Sequence, residues 1–384
     1  MEAEMRIKSD AVYLYRVPIE ADEAPFEHYR DLARAALRLV EPPLPSQGTI
    51  LLKPNATVLF PAERRVITHP GFLAGMIEAL VEKGVTRDRL VVAEGQCGEQ
   101  PENGHTWEKC GYQGMIDEQG VRLAKLTGAE MRQVAVPGGV VYEHYPMARE
   151  VTDCAFFFNV PVAKCHNLVC TTLAVKNLMG TLGTPERHIC SVQKVDEAHL
   201  EGRWRLADNG LSIHENVFVD KLLDLLAAHR SLGIPRLCMI DGLVGRDGTA
   251  FNEGRNYPLG WTLIGENEVH VDALGTHLMG LDPLWPPNLT RAVERGFGTN
   301  RLEEIELIDL CTGRSLNRAE VQALRRAEVL MPVCRYDGGY YKRFRPNGSV
   351  VPWNLNEVNQ QRLLDGLDPI APEHSPSMRE PAMA

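Results

Sequence analysis

Asn159-Val-Pro-Val-Ala-Lys164-Cys-His166-Asn-Leu-Val-Cys170-Thr-Thr-Leu-Ala-Val-Lys176-Asn177-Leu-Met-Gly180 follows directly on Phe156-Phe157-Phe158, and this junction decides the fold. Three successive phenylalanines suit a strand covered on both faces, as in the interior of a parallel sheet. The polar groups come after them, where such a strand meets the next helix and where open α/β sheets bind ligands. Lys164 and His166, two apart, share one face of an extended chain. The helical pattern of residues 172–179 then brings Lys176 and Asn177 back towards the same place.

Outward from this junction, strands and helices alternate. Residues 49–52 and 90–93 read as strands around a helix at 70–83, with Pro70 in its first turn and Gly84 as its stop. Further helices are predicted over 115–126, 214–231, 271–279 and 318–326, and strands over 132–136, 156–158, 236–240, 261–265 and 305–310. This alternation predicts an α/β fold with an open, mainly parallel, doubly wound sheet. Polar stretches at 96–114 and 183–210 read as long loop excursions that could serve as lids. The organisation read from the chain is a lead-in (1–47), an α/β core (48–330), an extension with an aromatic hairpin around Asp337-Gly338 (331–367) and a disordered tail (368–384).

Composition removes several classes of function. The 44% hydrophobic content of 384 residues suffices for one large or two intermediate domains. With 41 basic against 51 acidic residues, a net charge of -10 and no basic run, nucleic acid is not expected as a partner. Apolar runs are strand-sized and the first residues are charged, so no membrane span or signal peptide is expected and the cytoplasm is the expected location. Nine scattered cysteines without any Cys-x-x-Cys argue against a disulfide framework or zinc ribbon. No glycine-rich phosphate cradle is present, which disfavours NAD, and there is no Gly-x-Ser-x-Gly elbow. The length permits a homodimer without requiring one.

The strand ends supply the candidate site: Lys53 and Asn55 after the first, Glu94 after the second, Lys164 and His166 after the phenylalanines, and Asp241, presented by an Asp241-Gly242 turn, after 236–240. In an open parallel sheet these ends converge. Three lysines (Lys53, Lys164, Lys176) in one crevice of an acidic protein are costly unless an anion neutralises them. A small carboxylate or phosphate ligand fits, with Asn55, Asn159 and Asn177 offering amides and Glu94 completing the binding set. The alternative is a structural network in which the lysines pair with Glu94, Asp241 or Asp272. Lys164 and His166 lead as acid–base catalysts with Lys176, and Asp241 would orient or balance them. A lysine could also form a Schiff base with a carbonyl substrate. His69, His166, Asp241 and Asp272 could supply nitrogen and oxygen ligands, so a transition metal stays open, although no local ligand spacing joins them.

Leu-Leu-Lys-Pro-Asn at 51–55, Thr-His-Pro at 68–70, Asn-Val-Pro-Val-Ala-Lys-Cys-His at 159–166 and Leu-Ala-Val-Lys-Asn-Leu-Met-Gly at 173–180 resemble the family catalogued as domain of unknown function 362. Ile-His-Glu at 213–215, Ile-Asp-Gly-Leu-Val-Gly at 240–245, Val-Asp-Ala-Leu-Gly at 271–275 and Met-Gly-Leu-Asp-Pro at 279–283 extend the likeness over about residues 48–300. The resemblance implies an α/β domain and no general activity. Many relatives carry a ferredoxin-like cysteine run that this chain lacks, which disfavours an iron–sulfur cluster. Where the family often reads Asp-Pro-Val-Ala-Val-Asp-Ala, Asn267 to Ala273 keeps only the second aspartate, Asp272, and adds His270. The expectation is an enzyme acting on a small anionic metabolite by lysine and histidine acid–base chemistry. A metal-dependent oxidoreductase and a non-catalytic binding or assembly protein are the alternatives.

Overall fold

The computed structural model describes residues 4–56, 58–95, 104–166, 169–182, 213–248 and 254–330, with short pieces of strand beyond. The chain opens with β1 (Met5–Arg6), β2 (Ala11–Arg16), α1 (Phe26–Arg38) and β3 (Val40–Glu41). A βαβ unit follows: β4 (Ile50–Pro54), α2 (Pro70–Glu82) and β5 (Leu90–Glu94). Pro70 starts α2, the His69 ring accepts a hydrogen bond from the Gly71 amide, and Gly84 takes the left-handed conformation that stops the helix (φ 88°). Next come α3 (Tyr112–Gln119), β6 (Arg122–Lys125), β7 (Met131–Ala135), β8 (His144–Ala148), α4 (Arg149–Thr152), β9 (Phe156–Val160), β10 (Val162–His166), β11 (Cys170–Thr172) and α5 (Ala174–Asn177). The core closes with α6 (Ile213–Ser231), β12 (Arg236–Arg246), β13 (Asn256–Gly265), α7 (Glu268–Leu278), α8 (Pro287–Glu294), β14 (Glu306–Asp309), β15 (Arg314–Ser315) and α9 (Arg318–Ala323). Beyond it, β16 (Cys334–Arg335), β17 (Tyr341–Phe344) and β18 (Val350–Pro352) pair antiparallel.

The main sheet runs β15-β14-β2-β13-β12-β9-β4-β5-β6, with β10 and β11 attached beside β12. The strands from β12 to β6 are all parallel, as are β14 and β2, whereas β13 runs against both neighbours. Period-two alternation divides each central strand between two apolar layers. Leu51, Val91, Phe157, Cys238 and Ile240 join the layer holding α6 and α7, while Ile50, Leu52, Val92, Phe156 and Phe158 pack on α1 and α2. Both faces are therefore covered, and the sheet is the open, mainly parallel, doubly wound one predicted.

Several local expectations are corrected. Residues 115–126 are not one helix: Gly120 adopts φ 62° after α3, and the chain re-enters the sheet as β6. The strand predicted at 132–136 is β7, which pairs only with β8 in a separate ribbon. The helix predicted over 172–179 shrinks to α5, because residues 170–172 first pair with β10 and residues 178–181 tighten into a 3₁₀ turn. Asp241-Gly242 is not a turn. β12 continues to Arg246, and glycine is required at 242 because a Cβ there would enter the Trp261 indole. Residues 1–47, read as a lead-in, furnish β2 to the middle of the sheet and α1 to one face. The excursion at 183–210, the first part of the one at 96–114, the Asp337-Gly338 turn and the tail lie outside the described residues. Among the described residues no helix is long and apolar enough to cross a membrane.

Helices α1 and α2 approach backbone to backbone at Gly75, where a Cβ would collide with the Arg30 carbonyl, whereas Gly114 in α3 faces open space. Gly75→Ala is expected to lower stability by about 1–3 kcal/mol through overpacking. Gly114→Ala should raise it by about 0.5–1 kcal/mol through reduced backbone freedom. Urea midpoints of the two variants should move in opposite directions, and a shared direction would refute the assigned helix contact.

Candidate functional site

β4 and β9 run side by side, so Lys53 lies directly across from Asn159. Alternation turns Lys53 to the side shared with Leu51, towards α5. There its Nζ donates to Glu94 Oε2 (2.9 Å), Asn177 Oδ1 (3.1 Å) and the Pro54 carbonyl (2.6 Å). Glu94 also accepts from the Ala56 and Gly95 amides. The Lys53 and Glu94 side chains are 0% and 1% exposed. Burial pulls the Lys53 pKa down while the Glu94 carboxylate holds it up. Asn177 Nδ2 donates to Asn159 Oδ1 (2.8 Å) and to the Lys53 carbonyl (3.1 Å), and Asn159 donates to the Ala174 carbonyl (2.8 Å). Gly180 closes over the ion pair, with no room for a Cβ beside Glu94 Oε1 and Lys53 Nζ.

Lys164 reaches the same region from β10. Its Nζ donates to Asn55 Oδ1 (2.7 Å) and to the Val66 carbonyl, and Asn55 is fixed in turn by its amide bond to Thr68 Oγ1 (2.8 Å). Among the described residues no carboxylate is hydrogen-bonded to this lysine. Burial, with Lys176 and Arg246 adding repulsion, lowers its pKa to about 7. Arg246, opposite Lys164 across β10 and β12, also donates to Asn256 Oδ1. His166 is buried, its ring stacked nearly parallel to Phe218 at 6.0 Å, and burial with Lys176 and Lys164 pushes its pKa well below the usual value. It is a neutral imidazole at pH 7. Lys176, buried on α5, places its ammonium over the Phe218 ring at 5.8 Å.

The remaining predicted residues sit apart from this cluster. Asp241 belongs to the α1–α2 side, where Oδ2 accepts from the His69 amide (2.9 Å) and Oδ1 is buried without a hydrogen bond. It therefore orients His69 rather than Lys164 or His166. His69 Nδ1 is occupied by the Gly71 amide (3.1 Å), its ring stacks on Tyr29 at 3.8 Å, and burial beside Arg65 lowers its pKa to about 3. Asp272 accepts from the Ala174 and Val175 amides (2.6 and 2.9 Å), so it anchors the start of α5, and burial raises its pKa to about 8. Among the described residues no three His, Cys, Asp or Glu side chains converge as a metal site, so the set His69, His166, Asp241 and Asp272 is not assembled. No disulfide joins the described cysteines, and Cys165 donates to the Leu330 carbonyl.

Arg246, Phe218 and the Val66 carbonyl were not foreseen. Arg246 had a signal, since it ends the Gly-Leu-Val-Gly run after Asp241. The other two contacts depend on tertiary packing alone.

The family model described as Domain of unknown function (DUF362) matches residues 50–277, more than half of the chain, and the chain belongs to that family. A thylakoid-associated protein of Synechocystis sp. is 22% identical over 309 residues, spanning 78% of this chain and 84% of that protein. Among solved structures, the lactate racemase apoprotein from Thermoanaerobacterium thermosaccharolyticum aligns with a TM-score of 0.42 at 10% identity. A protein from Thermotoga maritima aligns with a TM-score of 0.33 at 10% identity. These alignments cover 71% and 75% of this chain but only 57% and 61% of the two solved chains.

Two outcomes follow from the buried charges. Glu94→Gln leaves Lys53 enclosed without a carboxylate and should cost about 3–5 kcal/mol in denaturant unfolding. An unchanged midpoint would remove the ion pair from its structural role. Asp241 has a folded pKa of about 7, raised by burial above 3.8. Its contribution to stability is complete below the unfolded value and lost as pH rises through the folded one. Asp241→Asn should flatten that part of the loss between pH ~4 and ~7, gaining up to about 4 kcal/mol over the native chain at higher pH. Parallel stability curves for the two proteins would show that Asp241 is not buried as a strained carboxylate.

Proposed function

We propose that the protein is an enzyme acting on a small anionic metabolite, a carboxylate or a phosphate, through Lys164 and His166 at the carboxyl edge of the sheet. One observation supports this above the others: Lys176 and Arg246 both act on Lys164 by like-charge repulsion, while Glu94, the carboxylate that acts on it from among the described residues, is bonded to Lys53. Such an arrangement favours an incoming anion. Lys176 and Arg246 are the binding cations, and Asn55, Asn159 and Asn177 hold the frame. Lys164, with a pKa near neutrality, and the neutral His166 are the groups suited to move a proton at physiological pH. The reading concerns a small ligand and invokes neither nucleic acid nor a membrane-spanning segment. The thylakoid association belongs to the relative's name, and a cytoplasmic location for this chain is part of the proposal.

The test is a calorimetric and thermal-shift screen of small carboxylates and inorganic phosphate against the native protein and Lys176→Ala. Binding is expected, with about a tenfold loss in the variant, equal to 1.4 kcal/mol. Equal response of both proteins, or no response by either, would defeat the reading. For a turned-over ligand, Lys164→Met and His166→Ala should abolish activity with folding intact.

A further inference from the structure

Lys53, two residues before Asn55, and Lys164, bonded to the Asn55 side chain, differ in the number and kind of their acceptors. Lys53 Nζ has three, one of them a carboxylate, which matches the three N–H donors of an ammonium. Among the described residues Lys164 Nζ has two, the Asn55 amide oxygen and the Val66 carbonyl, and both are neutral. A neutral amine carries two N–H donors and one lone pair. Two neutral acceptors therefore satisfy it fully and leave the lone pair unengaged, whereas an ammonium would turn a third donor towards the neighbouring cations. Resting on the anion-binding reading above, we propose that Lys164 is a nucleophilic amine that forms a Schiff base with a 2-oxo carboxylic acid, whose carboxylate is held by Lys176 and Arg246.

The step balances without an oxidant or reductant. The Lys164 lone pair attacks the carbonyl carbon, a C–N bond forms and the C=O π pair moves to oxygen. The two protons lost by nitrogen leave with that oxygen as water when the C–O bond breaks, giving the imine. His166, neutral and two residues along the strand, is the group available to carry them. Asn55 is a positioning residue: it accepts from Lys164 without supplying the negative charge that would hold the amine protonated. An aspartate at this position would supply it.

The experiment incubates the full chain with pyruvate and sodium cyanoborohydride at pH 7, then locates the reduced adduct by peptide mass spectrometry. The expected result is one adduct per chain, on Lys164, with a rate that rises as pH passes through about 7. The charged groups that act on Lys164 are Lys176, Arg246, Glu94 and Lys53. In Asn55→Asp, which retains the lysine, labelling should fall about tenfold or more, since a new carboxylate contact shifts a lysine pKa by a unit or more. Labelling spread over surface lysines, or undiminished in Asn55→Asp, overturns the Schiff-base inference. Oxalate, which has no reactive carbonyl, is titrated in parallel on the same samples. Oxalate binding without a Lys164 adduct overturns the inference and leaves the anion site standing, whereas loss of both overturns both.

Discussion

The Lys53–Glu94 ion pair is enclosed, and the rest of the site is arranged around its enclosure. Taking both charges out of water is expensive, and the cost is offset only where every donor and acceptor finds a partner. Here the partners come from three places: the end of β4 with the Ala56 amide beyond it, the Gly95 amide after β5, and Asn177 on α5, while Gly180 packs over the pair. Each of these segments also carries a side chain of the proposed site or holds one. Asn177 lies next to Lys176, Ala56 next to Asn55, and Asn55 holds Lys164. A structural ion pair thus sets the position of the chemical groups without being open to ligand itself.

Electrostatics then separates three lysines of one crevice into three kinds. Lys53 has its carboxylate, Lys164 has neutral acceptors only, and Lys176 lies against an aromatic face. Desolvation lowers the pKa of a lysine, and only an opposite charge restores it. Because Glu94 is committed to Lys53, burial and like charge act on Lys164 with little opposition. The net charge of the chain is -10, so this local excess of positive charge is a property of the crevice and not of the molecule.

The strand alternation and the polar strand ends were legible in the sequence, since both follow from local pattern. Phe156 to Phe158 announced a strand covered on two sides, and Lys53, Glu94 and Lys164 fell where parallel strands deliver their side chains. What local pattern could not carry was the partner choice. Asp241 stood at a strand end like the others, yet one residue of alternation beyond Ile240 sends it to the opposite face, against the His69 amide. Asp272 looked like a ligand because carboxylates are, but the start of α5 needed acceptors for its amides. Gly242 looked like half of a turn, whereas its lack of a side chain answers to an indole on the neighbouring strand. In each case a contact distant in sequence overrode a plausible local meaning.

The register between β10 and β12 explains why Lys164 meets a cation rather than an apolar neighbour. Val162 pairs with Asp241, so uninterrupted pairing would set Lys164, two residues later, against Leu243. It pairs instead with Arg246, three residues further along, after an irregularity between Val162 and Lys164. Irregularities of this kind re-aim a side chain and are tolerated where function requires it. β12 has a second irregularity on its other side, between Gly242 and Val244 against β13, so the strand departs from regular pairing with both neighbours over the same short span. The pairing energy lost there is the cost of bringing Arg246 to Lys164. A sheet selected for stability alone would have kept Leu243 in that place.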